Sequence, residues 1–187
     1  MTDNSDEALI QDCCKGERQA QQKLYDKYSG QMYAVALRYS KMQQEAEDIL
    51  QESFLKVFNN IKNFRKDSSL VYWIKRIVVN TALNHQRSKL YLYPMVDVND
   101  LKNRYTDEVS IAGFGHEELL KLIRKLPAGC QVIFNLYAIE GYKHHEIAKE
   151  LNISEGTSKS QYARAKSLLQ GWVLENNKIN YDRAGEH

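Results

Sequence analysis

Cysteine, proline and glycine are all scarce in this chain: among 187 residues there are three, two and nine of them. The cysteines, Cys13, Cys14 and Cys130, are odd in number, two are adjacent, and no CxxC pair occurs. That argues against a disulfide framework and against a zinc site, and leaves the thiols as small packing residues in a reducing compartment. Long apolar runs are also missing, and with a mean hydropathy of -0.59 no membrane insertion is expected. The opening residues, Met1-Thr2-Asp3-Asn4-Ser5-Asp6-Glu7, are polar and acidic, the opposite of a secretory leader, so the expected location is cytoplasmic.

The short motifs of catalysis are absent as well. There is no glycine-rich phosphate loop, HExxH, GxSxG or Cys/His nucleophile pair. His144 and His145 are neighbours, and adjacent histidines on a helix face different ways, so no shared metal is expected. Asp48 and Glu52 resemble an acid/base pair only in spacing, with no histidine or pocket implied beside them. The expectation is therefore no catalytic residue, no metal and no cofactor.

What is present is a sharp change of charge within one stretch, Glu45 to Arg87. Glu45, Glu47, Asp48 and Glu52 come first. From Lys56 to Lys89 the charges are Lys56, Lys62, Arg65, Lys66, Lys75, Arg76, Arg87 and Lys89 against the single acid Asp67. Net charge is only +2, so it is the clustering that carries information, and adjacent acidic and basic faces point to two different partners.

Along the chain, Asp6 to about Tyr39 reads as two helices with Gly16 as a stop. The second carries Leu24, Tyr25, Tyr28, Met32, Tyr33, Ala36 and Leu37, a stripe read as a core face rather than as a set of stacking rings. A helix from Glu45 places Ala46, Ile49, Leu50, Ser53, Phe54, Val57, Phe58 and Ile61 on one side and Asp48, Gln51, Glu52, Leu55 and Asn59 on the other. A leucine among acids and amides has the form of a docking anchor inside a polar rim. Exposed single leucines are also ordinary, and periodicity leaves both readings open.

A polar loop, Asn63-Phe64-Arg65-Lys66-Asp67-Ser68-Ser69, follows, with Ser68 or Ser69 placed to cap the next helix. That helix buries Leu70, Trp73, Ile74, Ile77, Val78 and Thr81. Beside them run Arg76, Asn80, Asn84 and Arg87, side chains suited to bases and phosphates, with Trp73 at the border. From Leu90 to about Gly115 no periodicity is clear, and the segment reads as a linker whose extended reach exceeds one duplex turn of roughly 34 Å. Tyr91, Leu92, Tyr93, Met95 and Val96 are too apolar for a free tether, so it is expected to lie on something; a short buried element is the alternative.

A second helical domain begins at His116. Leu119, Leu120, Ile123 and Leu126 share a face, Pro127 suits a helix start, and Gly141 an end. Tyr142–Leu151 and Ser154–Leu169 then form a helix-turn-helix pattern, with Asn152 suited to a left-handed turn and Ser154 to a cap. In its second helix Ser158, Tyr162, Ala165 and Leu169 share one side. Thr157, Lys159, Ser160, Gln161, Arg164 and Lys166 are assigned to the sides that meet a major groove. The stretch from Gly171 onward is expected to be a polar, fraying tail.

Two sets of motifs now carry a resemblance. The run Ala46-Glu47-Asp48-Ile49-Leu50-Gln51-Glu52-Ser53-Phe54-Leu55-Lys56-Val57-Phe58, with Phe64-Arg65-Lys66-Asp67-Ser68-Ser69-Leu70 and Trp73-Ile74-Lys75-Arg76-Ile77-Val78-Val79-Asn80, resembles region 2 of bacterial sigma-70-family factors. Leu126-Pro127 through Gly141-Tyr142, then Glu146-Ile147-Ala148 and Ile153-Ser154-Glu155-Gly156-Thr157-Ser158-Lys159-Ser160, resembles their region 4. With regions 1.1 and 3 lacking, the pattern is similar to the extracytoplasmic-function (ECF) group. Departures stand at Lys66, where glycine is common, at Val71-Tyr72, where polar residues are common, at Ser158, where an apolar residue is common, and at Gln161, where arginine is frequent.

The resemblance implies an all-α fold of two small helical domains joined by an extended linker: region 2 over 1–89, linker over 90–115, region 4 over 116–172 and a polar tail over 173–187. It implies a non-enzymatic sigma factor that binds core RNA polymerase, directs it to promoters and helps melt them. Asp48, Gln51, Glu52 and Leu55 would dock on the polymerase. Asn63, Phe64, Arg65, Lys66, Ser68, Ser69, Trp73, Arg76, Asn80, Asn84 and Arg87 would read the minus-ten element, holding a flipped base whose extrusion their contacts offset. Thr157, Lys159, Ser160, Gln161, Arg164 and Lys166 would read minus-thirty-five duplex DNA. A sequestering anti-sigma protein is the implied regulator, and no obligate homo-oligomer is expected. The rival readings are a helix-turn-helix regulator outside polymerase, and a recombinase or nuclease with a helix-turn-helix tail. The docking helix and cationic loop argue against the first, and the lack of a serine nucleophile or acidic metal cluster against the second.

Overall fold

The computed structural model describes residues 4–92 and 115–184, with side-chain surroundings for 6–86, 115 and 117–175. Among the described residues every regular element is helical. The chain divides into two compact units, Met1–Ser88 and Lys89–His187.

In the first unit, α1 (Asn4–Lys15) stops where Gly16 takes a φ of +84°, a conformation open to glycine without a Cβ clash, and its N–H donates to the Cys13 carbonyl at 3.0 Å. α1 is tied to α2 (Arg18–Tyr39) by Asp6, only 6% exposed, which accepts from Lys27 Nζ at 2.7 Å and from the Tyr28 hydroxyl at 2.9 Å. A buried carboxylate persists because both of these donors compensate its lost hydration.

α2 buries Leu24, Tyr28, Met32, Val35, Ala36 and Tyr39. α3 (Gln43–Asn60) packs against it through Ala46, Ile49, Leu50, Ser53, Phe54 and Val57, the face anticipated from the 3.6-residue period. Ser53 keeps that face dry by donating its hydroxyl to the Ile49 carbonyl at 2.6 Å. A 3₁₀ turn, Ile61–Asn63, ends the helix with Ile61 buried.

α4 (Leu70–Leu92) buries Leu70, Ile74, Val78, Val79, Ala82 and Leu83; each large one contributes about 1.5–3 kcal/mol by leaving water. Gln86 reaches across to donate to the Tyr39 carbonyl, joining α4 to the end of α2. α4 continues to Leu92, so Leu90, Tyr91 and Leu92 are helical where a linker was expected to start. The rest of the expected linker, 93–114, lies outside the described residues.

The second unit begins with α5 (His116–Lys125), whose start is closed by Gly115 N–H donating to Glu118 Oε2 at 3.3 Å. Pro127 occupies the cap position of α6 (Ala128–Phe134), and a π-helical turn, Asn135–Ile139, leads to Gly141 at a φ of +79°. α7 (His144–Leu151) ends at Asn152, left-handed at φ 54°, and α8 (Glu155–Ala184) begins where Ser154 Oγ accepts the Thr157 N–H at 2.9 Å. The core joins Leu122, Ile123, Leu126, Cys130 and Phe134 to Ala165, Leu169 and Val173 of α8.

The polar tail needs correcting. α8 runs unbroken to Ala184, Val173 is 2% exposed, and Trp172 packs against the core. The four-residue register Ala165, Leu169, Val173 carries the packed side past Gly171, which overrides the polar composition. Residues 185–187 lie outside the described residues.

Candidate functional site

The outer side of α3 leaves Asp48 and Gln51 exposed and Leu55 64% exposed, as the helical projection requires. Glu52, between them, is held rather than loose. Its Oε1 lies 2.6 Å from Lys56 Nζ and its Oε2 2.6 Å from His85 Nε2 on α4. The Lys56 ammonium, then His85, lower its carboxyl from the ordinary range. Lys56 also donates to Thr81 Oγ1 at 3.1 Å, so α3 and α4 are bridged by one polar chain. Sequence reasoning missed Lys56 and His85 as partners of this surface. The four-residue spacing of Glu52 and Lys56 was a visible signal, whereas His85, 33 residues away, required the packing of α4 on α3.

The polar loop after α3 is built on an aromatic pair. Phe64, its N–H bonded to the Ile61 carbonyl at 3.1 Å, sets its ring 5.3 Å from that of Trp73, and both are half-buried. Asn63, Arg65, Lys66 and Ser68 are exposed around them. Lys66 has a φ of 62°, which explains why a glycine suits this position, and its Nζ is anchored to Glu7 Oε1 of α1 at 2.8 Å. Of the two serines offered as caps, Ser69 takes the position, its carbonyl accepting the N–H groups of Tyr72 and Trp73, each at 3.1 Å. Beyond it Arg76, Asn80 and Asn84 are exposed one turn apart on α4. Arg87 is helical, and its side chain lies outside the described residues.

On α8, Lys159 and Lys166 are exposed, and Thr157, Ser160 and Arg164 half-buried. Lys159 pairs with Glu155 at 2.7 Å, Thr157 Oγ1 lies 2.8 Å from Ser154 Oγ, and Ser160 donates to the Thr157 carbonyl at 3.1 Å. Gln161 is corrected. It is 4% exposed, and its Oε1 accepts the Cys130 thiol at 3.0 Å, so it faces the core and not a groove. α8 is packed by α5, α6 and α7 together, which takes in the 161 side as well as the 158/162/165/169 side.

Ser158, fully buried, is reconciled with its apolar surroundings by a 2.9 Å hydrogen bond with His144 Nδ1. The His144 ring in turn stacks on Tyr137 at 4.2 Å and meets the edge of Tyr162 at 5.8 Å. Burial, then the nearby Lys159 charge, pushes the His144 pKa down. Among the described residues no group of three or more His, Cys, Asp or Glu is gathered as for a metal, and no helix is long and apolar enough to cross a membrane.

Known families match both units: "Sigma-70 region 2" over residues 24–90 and "Sigma-70, region 4" over 116–169. The chain belongs to the sigma-70 family. Its relatives place this sigma factor in the ECF group. It is 28% identical over 181 residues to the RNA polymerase sigma-H factor of Pseudomonas aeruginosa, covering 90% of this chain and 94% of that one. It is 29% identical over 170 residues to the ECF RNA polymerase sigma factor SigM of Mycobacterium tuberculosis, covering 89% and 84%. Its fold is similar to the sigma factor RpoE solved with the anti-sigma factor NepR from Bartonella quintana, at a TM-score of 0.50 and 22% identity, covering 82% of this chain and 96% of that chain.

Proposed function

We propose that the three surfaces divide the work of an ECF sigma factor, which binds core RNA polymerase and directs promoter-specific initiation. The observation that carries this is the pairing of a region 2 unit and a region 4 unit in one chain. Asp48, Gln51, Glu52 and Leu55 form the polymerase dock. The acids surround an apolar anchor, and the Lys56 and His85 contacts fix Glu52 before binding, which lowers the ordering cost of association.

The loop and α4 face single-stranded minus-ten DNA. The Phe64–Trp73 pair supplies an apolar floor, Arg65 and Lys66 neutralise phosphate, and Arg76, Asn80, Asn84 and Arg87 offer donors and acceptors to bases. Lys159, Ser160, Arg164, Lys166 and Thr157 meet duplex DNA at minus thirty-five, where the cations hold phosphates and fix the register of α8. Gln161 supports that helix from inside. The factor acts in the cytoplasm, is not itself an enzyme, and is held in reserve by an anti-sigma protein, in line with the structure of RpoE with NepR.

The test is run-off transcription with purified core polymerase and a genomic promoter library. Promoter-specific transcripts dependent on this chain are expected. No such transcript, together with no binding to core enzyme, overturns the reading.

A further inference from the structure

Tyr72 belongs to none of the surfaces assigned so far, yet at 60% it is among the most exposed large hydrophobic side chains of the described residues. It lies in the first turn of α4, fixed there by its N–H bond to the Ser69 carbonyl at 3.1 Å. Counting by four, Tyr72, Arg76, Asn80 and Asn84 form a single line along the helix, all exposed, so the ring heads the polar stripe at its loop end. Trp73, one position on, turns instead toward Phe64 and is half-buried. The Lys75 ammonium stands 5.1 Å from the centroid of the Tyr72 ring.

An exposed aromatic ring with a cation beside it, continuous with a row of arginine and asparagine, has the chemistry of a single-strand platform. A ring binds any base through its π face, but only a base already out of the duplex stack, and an adjacent ammonium neutralises the flanking phosphate. We propose that Tyr72 stacks on an unpaired base of the melted promoter strand, with Lys75 at the neighbouring phosphate, extending the minus-ten surface by one base beyond the Phe64–Trp73 loop. This rests on the reading of region 2 as the minus-ten surface.

The experiment uses holoenzyme assembled from the full chain and core polymerase, with forked promoter DNA whose non-template minus-ten strand is single and carries 2-aminopurine at one position at a time. Wild-type holoenzyme should bind the fork and quench the probe at a position stacked on Tyr72. Tyr72→Ala should weaken fork binding roughly tenfold or more, as expected for the loss of one base–aromatic stack, and abolish that quenching. Tyr72→Phe should restore both, while core binding and the melting temperature of the free chain stay unchanged for each variant. Wild-type fork affinity in Tyr72→Ala overturns the inference alone. Weaker core binding by Tyr72→Ala also overturns it, by placing the ring against polymerase. Failure of the wild-type holoenzyme to bind any fork removes the reading of region 2 as well.

Discussion

In the region 2 unit, two of the polar residues expected to be functional, Glu52 on α3 and Lys66 in the loop before α4, lie toward the outside and are steadied by partners from elsewhere in that unit, Glu52 by His85 of α4 and Lys66 by Glu7 of α1. In the region 4 unit, two polar residues at departures from the family pattern, Ser158 and Gln161, turn inward and are steadied by His144 and Cys130. The difference follows from how many sides of each helix are packed. The outer sides of α3 and α4 stay open at Asp48, Gln51 and Leu55 and at Arg76, Asn80 and Asn84, whereas α8 meets α5, α6 and α7. Ser53, Thr81 and Gln86, on the packed sides of α3 and α4, are buried, and a polar residue is a surface residue only on a side left open. On a helix packed from several directions it needs a specific internal partner.

The largest expected effect tests the inward position of Gln161. Gln161→Arg, the residue frequent in the family, places a charge where the amide is 4% exposed, and should cost about 3 kcal/mol or more in thermal or urea unfolding. Unchanged stability with tighter duplex binding would show that position 161 is on the groove side and would erase the contrast between the two units.

Glu52→Lys comes next. It sets a second ammonium beside Lys56, takes away the acceptor of His85 and removes an acid from the dock, so affinity for core polymerase should fall about tenfold or more. Leu55→Ala should act in the same direction through loss of the anchor. Duplex binding by the minus-thirty-five surface serves as control; its loss as well would indicate misfolding rather than a dock.

The third prediction concerns pH. His144 has a folded pKa below its ordinary 6.5, mainly because it is buried and secondly because of Lys159, with Glu155 opposing. The unfolded chain then binds a proton that the folded unit resists. The His144 contribution is fully present above 6.5 and is lost as pH falls through the lowered folded value. Stability measured from pH 7.5 down to 5 should therefore decline in wild type, and decline less in His144→Gln. Equal slopes would remove His144 as the cause.

The smallest effect is at Lys66. Replacing it by glycine relieves a left-handed backbone, worth about 1 kcal/mol, but removes an exposed ion pair worth about 0–1 kcal/mol. Lys66→Gly should leave the melting temperature unchanged or slightly raised. A loss beyond about 1 kcal/mol would show that the Glu7 contact holds the loop more firmly than an exposed pair can.

Much of this protein was legible without coordinates because the signals are local. Gly16 and Gly141 at positive φ, Asn152 in the left-handed turn and Ser154 over the Thr157 N–H are short-range events that residue type alone decides. The buried face of α3, from Ala46 to Val57, follows from period, and its opposite face placed Leu55 outside. The sequence by itself thus determined where most helices begin, several of their caps, the helix-turn-helix and the family. Tertiary structure decided the rest: Glu52 with His85, 33 residues apart, Lys66 with Glu7, 59 apart, Gln161 turned to Cys130, and α8 continued through Val173. Periodicity identifies the most apolar side of a helix, but how many further sides are covered depends on neighbours distant in sequence, and that number separates a groove-facing glutamine from a buried one.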